Sequence, residues 1–158
     1  MKTKLFIVLA AVAMLFTACG KEKENTKAGN NELIYHGTVY KMNSNVCYGP
    51  MEDMEDAYMI DGVQADGNLF SFIADAKVST VNHSFDLTQD NNVYCFVAAE
   101  ETSPVPEIHL ENGDFKSGTI TITLNNEAFI YEVDAVLSDD TPFSVRIYQE
   151  ANTIENCW

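Results

Sequence analysis

Ser117-Gly118-Thr119-Ile120-Thr121-Ile122-Thr123-Leu124-Asn125-Asn126-Glu127-Ala128-Phe129-Ile130-Tyr131 is the stretch whose reading decides the fold. Ile120, Ile122 and Leu124 alternate with Thr119, Thr121 and Thr123, the period of two that marks a strand with one buried face. Asn125-Asn126 carries turn chemistry, because asparagine tolerates positive φ. A two-residue turn there sets Ile122 opposite Phe129 and Ile120 opposite Tyr131. Displacing the register by one residue sets Ile120 against Glu132, so the apolar pattern selects the first pairing. Ser138-Asp139-Asp140-Thr141-Pro142 marks a second turn, after which Phe143, Val145 and Ile147 return on the face that carries Val133, Ala135 and Leu137. Three consecutive strands therefore share one buried face.

Working back from this meander, short β-branched and aromatic segments alternate with Asn, Asp, Gly and Pro as far as Leu33, and no stretch sustains helical periodicity. The pattern predicts an all-β chain, an antiparallel β-sandwich or partly closed barrel of about eight or nine strands. Leu33 to Met42 reads as the first strand, ended by Asn43-Ser44-Asn45. Val46 to Ala57 reads as irregular, with Pro50 and the acidic residues after it able to start one helical turn. Strands resume at Tyr58 to Val63 and Leu69 to Ala74, joined through Asp66-Gly67, with Phe70 and Phe72 in the core. Phe85 and Leu87 mark a short strand. Val93 to Ala98 is apolar on both faces, so it is central or covered on one side by a loop. Pro104-Val105-Pro106 lacks two ladder donors and reads as a connection or an edge.

The N-terminal end has a different character. Lys2 and Lys4 precede an apolar run of about a dozen residues, Leu5 to Phe16, the layout of a secretory signal peptide. Phe16-Thr17-Ala18-Cys19 resembles a bacterial lipobox, which implies cleavage before Cys19 and attachment of a diacylglyceride to its sulfur. Residues 1–18 are then the signal peptide, 19–31 a lipidated flexible tether and 32–158 a single β domain. From Lys21 to Asn31 no apolar side chain exceeds alanine, so the segment buries too little surface to offset ordering. Its Lys-Glu-Lys-Glu run resembles the charged signals that route Bacteroidetes lipoproteins to the outer face of the outer membrane. The lipobox together with Ser117-Gly118-Thr119-Ile120-Thr121-Ile122-Thr123 and a tyrosine-bearing partner strand resembles small β-sandwich or barrel lipoproteins of Bacteroidetes, most of unknown function. That resemblance implies an envelope protein lipid-anchored in the outer membrane, on its periplasmic or surface face, and carries over no catalytic residue.

Composition narrows the partners. Loss of Lys2 and Lys4 leaves seven basic side chains against 24 acidic ones, a net charge of −17. Nucleic acid and anionic headgroups are repelled by such a surface. Cationic partners, divalent ions and neutral glycans stay open. With Cys19 lipidated, Cys47, Cys95 and Cys157 remain, and export permits at most one bridge among three thiols. Cys47–Cys157 is the favoured pair because each lies in or beside irregular chain, whereas Cys95 sits inside an apolar strand. A bridge through Cys95, or none, are the alternatives.

Catalytic chemistry finds no motif. His36, His83 and His109 are scattered, outside any metalloprotease, nucleophile-elbow or phosphate-loop pattern. Glu52, Asp53, Glu55 and Asp56, with Asp61 and Asp66, offer hard oxygen ligands for Ca²⁺, but the run lacks the spaced loop, and a solvated acidic loop is the favoured reading. Met51, Met54 and Met59 near Cys47 offer soft ligands for Cu(I), against the plainer reading of core-edge packing. Tyr48, Tyr94 and Tyr148 can stack on sugars or touch a protein, or serve as ordinary sheet aromatics. No cofactor is implied. The leading expectation is a non-enzymatic binding or assembly component for glycan or protein, against an enzyme with an unrecognised carboxylate site or a divalent-cation-binding protein.

Overall fold

The computed structural model describes residues 27–50, 56–67, 69–89, 94–109 and 114–157, with Tyr94 in its backbone alone. The leader, the lipobox and Cys19 lie outside these residues. The strands are β1 (Glu32–Tyr35), β2 (Thr38–Gly49), β3 (Ala57–Gln64), β4 (Phe70–Lys77), β5 (His83–Asp86), β6 (Tyr94–Ala99), β7 (Ile108–His109), β8 (Phe115–Leu124), β9 (Ala128–Leu137), β10 (Pro142–Glu150) and β11 (Glu155–Asn156). They form one curled half-barrel sheet in the order β5-β8-β9-β10-β1-β2-β3-β4-β6-β7, antiparallel throughout. β11 is added alongside β2 in parallel.

The expected all-β antiparallel class is the class observed, as a single curled sheet rather than two separate layers. The strand count exceeds the expectation for identifiable reasons. The single strand expected over Leu33 to Met42 is a hairpin: His36 and Gly37 take positive φ of 48° and 71° and turn β1 into β2. Both central residues at positive φ match the twist of the flanking strands. β7 and β11, of two residues each, account for the remainder.

Asn43-Ser44-Asn45 does not end a strand. β2 runs through it, pairing with β1 up to Lys41 and with β3 from Met42 onward. Ladder pairing on both sides of this point overrides the turn preference of three short polar side chains, two of which point to solvent. β2 is thus the corner at which the sheet folds over on itself, and the two halves face each other across the core. Phe72 on β4 meets Tyr131 on β9 with ring centroids 5.9 Å apart, and Tyr58 on β3 meets Phe129 at 4.9 Å. Gly62 permits this approach: a Cβ there would stand 3.1 Å from Ile147 Cδ1 and 3.3 Å from the Met42 sulfur.

The meander follows the expected faces but not the expected register. Ile122 stands opposite Tyr131, Ile120 opposite Val133 and Leu124 opposite Phe129. The turn is centred one residue later than expected, on Asn126-Glu127, because Asn125 Oδ1 accepts from the amides of Glu127 and Ala128 while its own amide donates to Ala128 O. Moving a two-residue turn by one position shifts pairing by two, which preserves the period-two faces. Ile120, Ile122, Phe129, Tyr131 and Val133 are all fully buried.

The N-terminal described residues are tied to the sheet. Ala28 N donates to Ser144 Oγ at 3.1 Å, Tyr148 N donates to Asn31 Oδ1 at 2.8 Å, and Lys27 Nζ lies 3.1 Å from Asp134. Among the described residues, contacts with the domain thus include Lys27, Ala28 and Asn31, which lie inside the segment expected as tether.

Candidate functional site

An open groove of about 700 Å³ lies at one end of the half-barrel, between the β2–β3 pair, the β8–β9 turn and the C-terminal segment. Its floor comes from an aromatic ladder that starts in the core. Tyr58 leans on buried Phe129, and Tyr48, its direct partner across β2 and β3, stands 5.2 Å from it ring to ring. The Tyr48 hydroxyl donates to Asp56 Oδ2 at 2.7 Å, which orients the ring. That bond raises the Tyr48 pKa, while loss of solvent raises that of Tyr58, so both phenols stay protonated at neutral pH.

The side walls come from distant parts of the chain. Leu124, Asn125 and Asn126 project from the β8–β9 turn, and Val78 comes from the short 3₁₀ turn Val78–Thr80. Asn152 and Ala151 lie in the 3₁₀ turn Ala151–Thr153, followed by Ile154 and Asn156. The C-terminal wall is fastened at several points. Ala151 N donates to Glu127 O, Cys157 N donates to Tyr48 O at 3.0 Å, and Gln149 bridges Val46 and Thr153. Cys47 and Cys157 form a disulfide with Cα atoms 5.1 Å apart.

Among the described residues, the lining carries tyrosine faces, aliphatic side chains and four asparagine amides, without a charged residue. Asn125 Oδ1 is engaged in its own turn, which leaves its NH₂ as a donor. Among the described residues, the side chains of Asn126, Asn152 and Asn156 form no hydrogen bond to protein, and all three are exposed. Such amides each present one acceptor and two donor positions to a ligand.

The other sequence candidates are dispersed. Glu52, Asp53 and Glu55 lie outside the described residues, as do Met51 and Met54; Asp56 is engaged by Tyr48. Among the described residues no three His, Cys, Asp or Glu side chains are grouped to hold a metal ion. The Cys47 sulfur is committed to its bridge, which removes it from the soft-ligand set with half-buried Met59. Cys95 is buried against Tyr131, whose hydroxyl is held protonated well above its ordinary range by burial and then by the Cys95 thiol. His36 lies 3.6 Å from Asp139, His83 approaches Val81 O, and His109 pairs with Glu107 and stacks on Phe96. Of the three surface tyrosines, Tyr48 lines the groove and Tyr148 on β10 does not; the Tyr94 side chain lies outside the described set.

Sequence reasoning missed Tyr58, Val78, Asn152, Ile154 and Asn156 as site residues. One signal was present: a bridge at Cys157 necessarily carries residues 151–156 to the neighbourhood of Tyr48, the residue after Cys47. No family model matches this chain, and no curated protein or solved structure matches it either.

Proposed function

We propose that this chain is an envelope lipoprotein, anchored through Cys19, that acts as a non-enzymatic binding component and takes its ligand in the groove between Tyr58 and Asn126. The observation that carries the reading is the lining: unengaged amides and aromatic faces gathered from four segments, in a volume typical of ligand sites. Among the described lining residues there is no carboxylate pair and no nucleophile with its base, the groups hydrolytic chemistry uses. Support for the anchor comes from the leader, from Phe16-Thr17-Ala18-Cys19 and from the resemblance to small Bacteroidetes lipoproteins. Two or three acyl chains at about 0.8 kcal/mol per buried methylene hold such a protein on a membrane. Seven residues separate Cys19 from Lys27. That span reaches roughly 30 Å at most, so the anchor holds the domain near the outer-membrane surface.

Affinity capture of the intact lipidated protein from envelopes, with bound proteins and glycans both identified, tests the reading. Species retained by the wild type and lost by the Asn126→Ala/Asn152→Ala variant are expected; an identical set on both contradicts a groove site. Cys19→Ala should release the exported chain from membranes, and a variant that still sediments at high salt contradicts the anchor.

A further inference from the structure

We infer that the ligand of this groove is a neutral oligosaccharide. The inference rests on the groove being the binding site and narrows it to one ligand class. A pyranose ring presents an apolar face of C–H groups and a rim of hydroxyls that each donate and accept. The groove offers the complement of both. Tyr48 and Tyr58 supply aromatic faces whose hydroxyls stay protonated. The exposed large hydrophobics among the described residues are Val39 and Val78, and Val78, at 47% exposure, lines this groove. Asn126, Asn152 and Asn156 carry donor and acceptor on one planar amide, the arrangement that matches a pair of adjacent hydroxyls.

Charge argues in the same direction. The chain holds 24 acidic side chains against nine basic ones, yet among the described residues the lining has neither sign. An anionic saccharide meets the field of the whole protein with no Lys or Arg among the described lining residues to offset it. Among the described lining residues a cationic ligand finds no carboxylate, and the Asp56 carboxylate beside Tyr48 is engaged by that tyrosine's hydroxyl. An extended peptide docks by adding a strand to an open sheet edge, and the nearest edge, β11, is two residues long.

The test is isothermal titration of the full chain with linear neutral hexasaccharides of glucose, mannose and xylose, and with galacturonate hexasaccharide as the charged comparison. Binding of at least one neutral hexasaccharide is expected, with the galacturonate binding at least tenfold more weakly. Asn126→Ala/Asn152→Ala should weaken neutral binding at least tenfold, and Asn43→Ala, exposed on β2 away from the groove, should leave it unchanged. Thermal melts establish that the variants fold. Neutral binding that survives the double substitution overturns the site, as does a preference for galacturonate. Absence of neutral binding at millimolar concentration overturns the ligand class. In that case, a protein captured from envelopes by the wild type and lost by the same double variant shows that the groove binds something else, and loss of no species shows that the binding reading has failed with it.

Discussion

Cys47 and Cys157, 110 positions apart in the chain, are bridged beside the parallel pairing of β11 with β2, in which Glu155 faces Cys47 and Asn156 faces Tyr48. The bridge thus closes the C-terminal wall of the groove against its aromatic floor. In the chain-entropy treatment a loop of this length contributes on the order of 4 to 5 kcal/mol, less any native strain. Replacing both cysteines by serine should lower stability in urea by up to about that amount. It should also raise amide exchange across residues 151–157 well before global unfolding. Unchanged protection of this segment contradicts its dependence on the bridge.

Ile122 stands opposite Tyr131 on the buried side of β8, and Thr121 opposite Glu132 on the other. Ile122→Asp places an unpaired carboxylate in the core and should cost about 4 kcal/mol or more. Thr121→Asp loses the Ser84 hydroxyl contact and sets like charges across the strands, a cost of about 1 kcal/mol. Equal losses in chemical denaturation contradict the assignment of faces.

These two faces were legible from sequence because alternation survives any even shift of register. The register itself was not. It depends on which asparagine caps the turn, and Asn125 and Asn126 are equivalent as turn residues until the chain beyond them is placed. His36-Gly37 was hidden for a related reason: the apolar residues of Leu33 to Met42 continue on both sides of the turn, so the pattern shows no break. Conversely, Asn43-Ser44-Asn45 has turn composition but is held in β2 by pairing with β3, a tertiary effect. The groove was least legible. Tyr58, Asn126 and Asn152 come from segments whose proximity depends on the curl of the sheet and the bridge at Cys157. The lining amides carry no motif.

Gly118 faces Ala135 across β8 and β9. A Cβ added at Gly118 would stand 2.5 Å from Ala135 Cβ and 2.8 Å from its Cα, at a φ of +156°. Gly118→Ala should therefore cost about 2 to 3 kcal/mol through overpacking and strain. Ala135→Gly in the same chain should recover part of it. A double variant no more stable than Gly118→Ala contradicts the steric origin.

Acid titration separates three carboxylates by sign. Burial pushes the Asp75 carboxyl above its ordinary range, between register partners Met59 and Tyr94 on β4's neighbours. A raised acid binds its proton more tightly in the folded state, so ionised Asp75 costs stability at neutral pH, a cost that fades as pH falls toward the unfolded value near about 3.9. Asp86 and Asp139 run the other way. The hydroxyls and amides of Thr88 and Thr141 hold them below the ordinary range, and the stability they contribute above the unfolded value is lost as pH falls through their folded ones. Asp75→Asn should raise Tm near neutral pH and leave it unchanged in strong acid, whereas Asp86→Asn and Asp139→Asn should lower it near neutral pH. A lower neutral Tm for Asp75→Asn contradicts this account.

The claim that the groove captures a ligand at the envelope is tested most directly by photo-cross-linking in intact cells, with a photoreactive residue placed at Asn152 and, separately, at Asn43. Covalent adducts from position 152, identified by mass spectrometry as glycan or protein and absent from position 43, are the predicted result. Adducts of equal yield from both positions, or none from 152, would contradict it.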